Sequence, residues 1–255
     1  MTTVDRFFSP ALGEDTPYMV VIPDHLVGET SIPYVHIVHG MTDDVTIWLR
    51  FTRLESLLAA HGYAAALTFA ENSYYTDMAH GKRYLSAVAD DFPSFLAKKY
   101  GFSLARENRV IMGNSMGGYG AFKLALTYPD RYRAAVSLSG VTDIVYRFVD
   151  CGFWPDHGAA NWGDDYRETL PDSPSDLYRL VSDVENARVP RPVLRQICGT
   201  DDYLYPDNLR FRDFMLARDG WEYTYFEDKG AHWWDFWDRV LPDVLDHFES
   251  ILKTK

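Results

Sequence analysis

The stretch Arg109-Val-Ile-Met-Gly-Asn-Ser-Met-Gly-Gly-Tyr-Gly-Ala-Phe-Lys-Leu-Ala-Leu-Thr-Tyr128 decides the fold. Residues 109–112 form a short β-branched, apolar run of the kind that makes a buried strand, residues 121–128 have helical spacing, and Gly113-Asn-Ser-Met-Gly117 stands between them. A serine on so tight a strand-to-helix turn must hold a strained backbone, and flanking glycines let the neighbouring strand and helix approach. Its hydroxyl is then exposed at the carboxyl edge of a sheet. Glycine-rich turns also cradle phosphates. Residues 113–120, however, match neither G-x-x-x-x-G-K-[ST] nor G-x-G-x-x-G, so Ser115 reads as a nucleophile.

Working outward, comparable apolar runs recur at 18–22, 32–38, 64–69, 134–138, 193–197 and 222–226. Segments with helical spacing lie at 54–61, 84–100, 208–219 and 233–252. Strands alternating with helices imply βαβ units, hence an α/β fold whose mainly parallel central sheet is flanked by helices. No repeat, low-complexity tract or linker divides the chain, so 1–255 is expected to form one domain. Residues 141–190 break the rhythm. A connection of that length is more often a functional insertion than a featureless loop, and it reads as a cap or rim with one helix at 175–184.

The 255 residues include 37 acidic and 25 basic ones, a formal charge of −12, which argues against nucleic acid because phosphate backbones are held mainly by Lys and Arg. With 47% apolar and 24% charged residues the chain is expected to fold, and no stretch approaches the roughly 18 apolar residues of a membrane span. The first residues lack the order of a secretory signal, so the cytoplasm is the expected compartment. Cys151 and Cys198 read as one loop thiol and one packing thiol, not as a disulfide or a metal pair.

A serine hydroxyl needs a histidine base, and the histidine needs an acid to hold its tautomer. Downstream of Ser115 stand His157, His232 and His247. His247 lies inside the terminal helical segment, and His157 lies in the insertion, where it could touch substrate but would break the expected order Ser, acid, His. His232 follows the run 222–226 in a loop and is the candidate base. The acid should leave the preceding strand, where Asp201 and Asp202 are adjacent, and the residues alone leave the two nearly even. Two backbone donors are required for an oxyanion hole: Met116 follows the nucleophile, and Met41 belongs to the turn His39-Gly40-Met41 after the run 32–38. His36 and His39 point to opposite faces of a strand and cannot chelate one metal.

With these residues in hand, the chain resembles the esterase D family of α/β-hydrolases, with the closest look to intracellular tributyrin-type and acetyl esterases. The carrying segments are His39-Gly-Met-Thr-Asp-Asp-Val-Thr-Ile-Trp-Leu-Arg, Ser73-Tyr-Tyr-Thr-Asp-Met, Gly113-Asn-Ser-Met-Gly-Gly-Tyr-Gly-Ala, Gly199-Thr-Asp-Asp-Tyr-Leu-Tyr and His232-Trp-Trp-Asp-Phe-Trp-Asp. The resemblance selects Asp202 as the catalytic acid and brings the tyrosine-rich segment at 74–77 near the site. The chain departs from the pattern at Asn114, where relatives often carry Leu or His, and in the bulky Trp233-Trp234 beside the base.

The resemblance implies hydrolysis of short-chain acyl esters, acetyl to butyryl, with acetylated saccharides and hydroxycinnamoyl esters among natural substrates. It implies no cofactor and no metal, a small-molecule ester as partner, neither nucleic acid nor membrane, and often a homo-oligomer. An S-formylglutathione hydrolase, a mycolyl-type acyltransferase and an inactive binding protein on the same fold are the competing readings. Six of the seven tryptophans follow position 150. That makes Trp154 and Trp233, with Trp48, Tyr75, Gly40 and Asn114, candidates to line the substrate pocket.

Overall fold

The computed structural model describes residues 1–253, which build one eight-stranded sheet. Its strands are β1 (Thr2–Ser9), β2 (Glu14–Val21), β3 (Tyr34–Val38), β4 (Ala64–Thr68), β5 (Arg109–Asn114), β6 (Ala134–Leu138), β7 (Val193–Gly199) and β8 (Tyr223–Asp228), in the spatial order β1-β2-β4-β3-β5-β6-β7-β8. β1 pairs antiparallel with β2, and β2 with β4. All other pairs are parallel. With helices on both faces this is the α/β-hydrolase fold.

Helices α1 (Ile47–Phe51) and α2 (Leu54–Leu58) follow β3. After β4, α3 (Tyr84–Ser86) runs through a π turn (Ala87–Asp91) into α4 (Phe92–Tyr100), and α5 (Met116–Thr127) follows β5. The stretch 141–190 carries a second π turn (Tyr146–Asp150), α6 (Pro155–Trp162), α7 (Tyr166–Thr169) and α8 (Leu177–Ala187). α9 (Tyr205–Leu216) and α10 (Trp234–Lys253) complete the chain.

Period-2 alternation sorts the core. On β5, Val110 and Met112 face a cluster with Trp48, Leu54 and the apolar stripe of α10, which runs through Trp237, Val240, Leu241, Val244, Leu245 and Phe248. Ile111 faces the opposite cluster, with Phe122 and Leu126 of α5 and Val181 of α8. Each cluster is shut off from water, and such burial contributes roughly 1.5–3 kcal/mol per large side chain.

Three expectations shift. β1 carries no apolar run because it is an exposed edge strand, which leaves its pairing with β2 as its only signature. α5 starts at Met116, five residues before its periodicity is readable. Gly117, Gly118 and Gly120 supply no apolar side chains, but Gly118 packs so closely on Gly140 that a Cβ would come within 2.8 Å of its Cα. Finally, α8 packs on α5 through Leu177, Leu180, Val181 and Val184, so it belongs to the helical layer and only the earlier residues of 141–190 lie at the rim.

Candidate active site

Ser115 sits between β5 and α5 with φ 55° and ψ −120°, a region sparsely populated by side chains other than glycine. The strain is held in place by hydrogen bonds. Ser115 N–H donates to Leu138 O at 2.9 Å, and Ser115 O accepts from Tyr119 N–H at 3.2 Å. A Cβ on Gly113 or on Gly117 would overlap Val38 O of the neighbouring strand. The serine turn and the end of β3 are therefore pressed together, and β3 leads directly into His39-Gly40-Met41.

His39 fixes that turn. Its Nε2 accepts from Ala70 N–H at 2.8 Å, so the proton is on Nδ1, which donates to Gly40 O at 2.7 Å. Burial pushes the His39 pKa down to about 4, keeping this neutral tautomer across the physiological range. Tyr75 donates its hydroxyl to His39 O at 2.7 Å, and Tyr74 reaches Met41 Sδ at 3.1 Å. His36, by contrast, is a buried strand residue contacting Tyr132 Oη at 3.1 Å.

The loops after β7 and β8 meet where a Cβ on Gly199 would overlap Gly230 O, and Asp201 N–H donates to that same oxygen at 2.9 Å. This close approach turns Asp201 outward and Asp202 inward. Asp202 is 4% exposed, accepts from Leu204 N–H at 2.8 Å, and lies 2.9 Å and 3.0 Å from His232 Nδ1 through its two carboxylate oxygens. Edge-on contact with Trp237 at 5.1 Å and a tilted contact with Tyr203 at 4.6 Å hold the imidazole from two sides.

Ser115, His232, Gly40, Met41, Asn114 and Trp233 line one cavity of about 170 Å³, with Trp234 and Trp237 among its other walls. Met116 opens α5, so its N–H belongs to the unpaired, positively polarised first turn of that helix. Three residues expected in the pocket lie elsewhere. Trp48 is fully buried edge-on against Trp234, at 5.3 Å, and Tyr75 is fully buried beneath Gly120, where a Cβ would strike its ring. Trp154 stacks on Phe153 at 4.1 Å on the exposed rim. His247 is half-buried in α10, whereas His157 lines a second cavity of about 370 Å³ that shares Thr42 and Asp43 with the first.

Two polar residues escaped the sequence reading. Asp43 faces both cavities. Tyr203 adjoins Asp202; burial and the Asp202 charge push its phenol up, while Arg147 and a hydrogen bond with Ser115 act the other way. Arg147 also holds this loop from the insertion, donating to Tyr203 O at 2.8 Å and pairing with the buried Asp207. Both stand inside segments that carry the resemblance, residues 39–50 and 199–205, but nothing in those segments assigns either a role.

Of the remaining polar clusters, His61, Asp246 and Glu249 group on α10's side of the sheet. His61 Nδ1 bonds Leu57 O at 2.9 Å and Nε2 faces Asp246 Oδ1 at 3.3 Å. Cys151 is exposed and Cys198 buried, both as free thiols. Among the described residues no helix is long and apolar enough to cross a membrane.

Known proteins resemble this chain over nearly its whole length. Residues 9–248 match the model of the Esterase family, described as "Putative esterase". An acetyl esterase of Caldicellulosiruptor saccharolyticus is 25% identical over 96% of this chain and 97% of its own length. Among solved structures, the S-formylglutathione hydrolase FrmB of Staphylococcus aureus superposes with a TM-score of 0.84 at 25% identity, covering 97% of this chain and 99% of its own. The fluorophosphonate-binding serine hydrolase FphF of the same organism superposes with a TM-score of 0.85 at 24% identity, covering 97% and 98%. With its family match spanning nearly the whole sequence, the chain belongs to the Esterase family and is a serine-type carboxylic ester hydrolase of the α/β-hydrolase fold.

Proposed function

We propose that the chain hydrolyses short-chain acyl esters, acetyl to butyryl, with Ser115 as nucleophile, His232 as base and Asp202 as the acid that orients it. Ser115 Oγ attacks the ester carbonyl while His232 Nε2 takes its proton. The backbone N–H groups of Met41 and Met116 stabilise the oxyanion, and His232 returns the proton to the leaving alcohol. Water then attacks the acyl-enzyme by the same route, releasing the carboxylic acid and free Ser115. One oxyanion donor typically contributes about 3 kcal/mol to such a step.

The observation that carries the reading is the paired contact of Asp202 with His232 Nδ1, which leaves Nε2 as the ring nitrogen available to Ser115 in the cavity that both residues line. The cavity's small volume and its three indole walls favour short acyl groups. Within the Esterase family we assign the chain to the esterase D group on the segments quoted above, acting as a single domain in the cytoplasm without a cofactor. Acetylated saccharides are its proposed natural substrates; the likeness to an acetyl esterase supports this.

Ser115→Ala is expected to lower kcat on p-nitrophenyl acetate by at least about 10⁴-fold and to abolish labelling by a fluorophosphonate, with the melting temperature little changed. A variant that kept most of its activity would remove Ser115 from the mechanism.

A further inference from the structure

Asp43 is a carboxylate that hydrolysis at Ser115 does not require, yet it stands on the boundary between the two cavities. Its Oδ2 accepts from Gly40 N–H at 3.0 Å and lies 3.5 Å from Asn114 Nδ2, so it is fixed rather than free to swing into solvent. Asn114 is 2% exposed, and its buried Oδ1 has no hydrogen-bond partner. Both residues depart from an apolar wall.

The two cavities differ in chemistry. The one at Ser115 is small, walled by Trp233, Trp234 and Trp237 beside Asn114, Ser115 and His232, and its size suits a short acyl group. The adjoining one has twice the volume and is lined by Asp43, Glu71, Asn72 and His157 together with Phe69 and Met78. Neither lining includes a lysine or an arginine. An ester seated at Ser115 must direct its acyl group to one side and its alcohol group to the other, so the small cavity takes a short acyl group and the larger one falls to the alcohol. There it meets acceptors that want hydroxyl donors, and negative charge that repels anions. Phe69 offers an apolar ring face of the kind that packs on a pyranose.

Resting on the esterase reading above, we propose that Asp43 is a specificity-determining residue for the leaving group. Asp43, with Glu71, selects uncharged polyhydroxylated alcohols, such as the sugar of an acetylated saccharide, over anionic ones. Esters and thioesters of carboxylate-bearing leaving groups, glutathione included, are then poor substrates despite the likeness to an S-formylglutathione hydrolase.

The test uses pairs of acetates that share the acyl group. Wild-type enzyme is expected to favour 4-acetoxybenzamide over 4-acetoxybenzoate by about tenfold in kcat/KM at low salt, and that preference should shrink at 0.5 M salt, a concentration at which charges are screened over roughly 4–5 Å. A methyl xyloside monoacetate should be favoured over cyclohexyl acetate by a similar factor. Asp43→Asn, which keeps an oxygen for Gly40 N–H, should cut the charge preference to about twofold or less, and Glu71→Gln should cut it by a smaller factor. An unchanged ratio in Asp43→Asn that is still labelled by a fluorophosphonate overturns the proposal and leaves the esterase reading standing. If Asp43→Asn does not fold, a wild-type ratio insensitive to salt overturns it equally. Wild-type protein that no fluorophosphonate labels overturns the esterase reading itself, and this proposal with it.

Discussion

Two pairs of glycines shape the two halves of the cleft. Gly113 and Gly117 flank the nucleophile within one turn of chain, and both press on the same carbonyl, Val38 O. Gly199 ends β7 and Gly230 lies in the loop beyond β8, separated from it in sequence by α9 and β8, and a Cβ on Gly199 would strike Gly230 O. The first pair fixes a local backbone shape, the second a meeting of two distant segments. The serine half is thus built into the core, where β3 and β5 are fully buried and α5 is buried from Met116 to Leu126, whereas the acid and base half rests on loop contacts nearer the sheet's edge. A change in the first half should act on folding, and a change in the second on alignment.

The largest expected effect isolates the chemistry of the second half from its geometry. Asp202→Asn keeps the shape of the side chain, and its amide oxygen still accepts from Leu204 N–H, but the amide can turn its NH₂ toward His232 and favour the wrong tautomer. Under the proposed mechanism, kcat on p-nitrophenyl acetate falls by about 10⁴-fold while thermal unfolding stays nearly where it was. A fall below tenfold would mean that the carboxylate does not orient the base.

Next comes Gly199→Ala, which tests the geometry and leaves every reacting group in place. The added methyl must push Gly230 away and carry the His232 loop with it. A displacement of about 1 Å costs on the order of 10²-fold in rate, and overpacking costs about 1–3 kcal/mol in stability. Gly117→Ala should reverse that balance, since Val38 O sits in a central strand and cannot yield: soluble protein is lost before turnover can be compared. Equal losses of stability in the two variants, measured by urea unfolding, would erase the distinction between the halves.

The same contrast explains what could be read from the chain. G-x-S-x-G is legible because its determinants are neighbours in sequence, and the strands of the buried sheet are legible because both faces demand apolar residues. Asp201 and Asp202 were not separable, because what distinguishes them is the Gly230 carbonyl, supplied by a loop beyond β8. Trp48 and Tyr75 read as pocket walls by type, whereas burial against Trp234 and beneath Gly120 uses them as packing. Asp43 and Tyr203 stand inside the segments of the resemblance but take no role from them, for the opposite reason: a polar residue beside a motif has no periodicity, and only the shared boundary of two cavities, or a ring tilted against His232, gives it meaning.

The smallest expected effect on turnover concerns a junction behind the serine half, between α5 and the insertion. Lys123 of α5 is 2% exposed, and its Nζ reaches Thr76 Oγ1 at 2.7 Å, Ser175 Oγ at 3.1 Å and Tyr74 O at 3.4 Å. Trp162 also donates to Ser175 Oγ, at 3.0 Å, so the lysine ties the nucleophile's helix to the tyrosine-rich segment and to the insertion. Burial pushes its pKa down to about 7, only partly opposed by the Asp77 charge, against an ordinary value of 10.5. Between those two values the unfolded chain binds a proton that the folded chain does not. Stability should therefore rise with pH through that window, by up to about 1.4 kcal/mol per unit, and the slope should vanish below about pH 7, where both states are protonated. Lys123→Met removes the titrating group from both states. Urea midpoints compared at pH 7, 8 and 9 should rise with pH in the wild type relative to the variant, while kcat/KM stays within about threefold because Lys123 touches no wall of the Ser115 cavity. Parallel stability profiles would mean that the three oxygens around Nζ hold the lysine charged in the core, and that the junction is an ionic clasp rather than a neutral one.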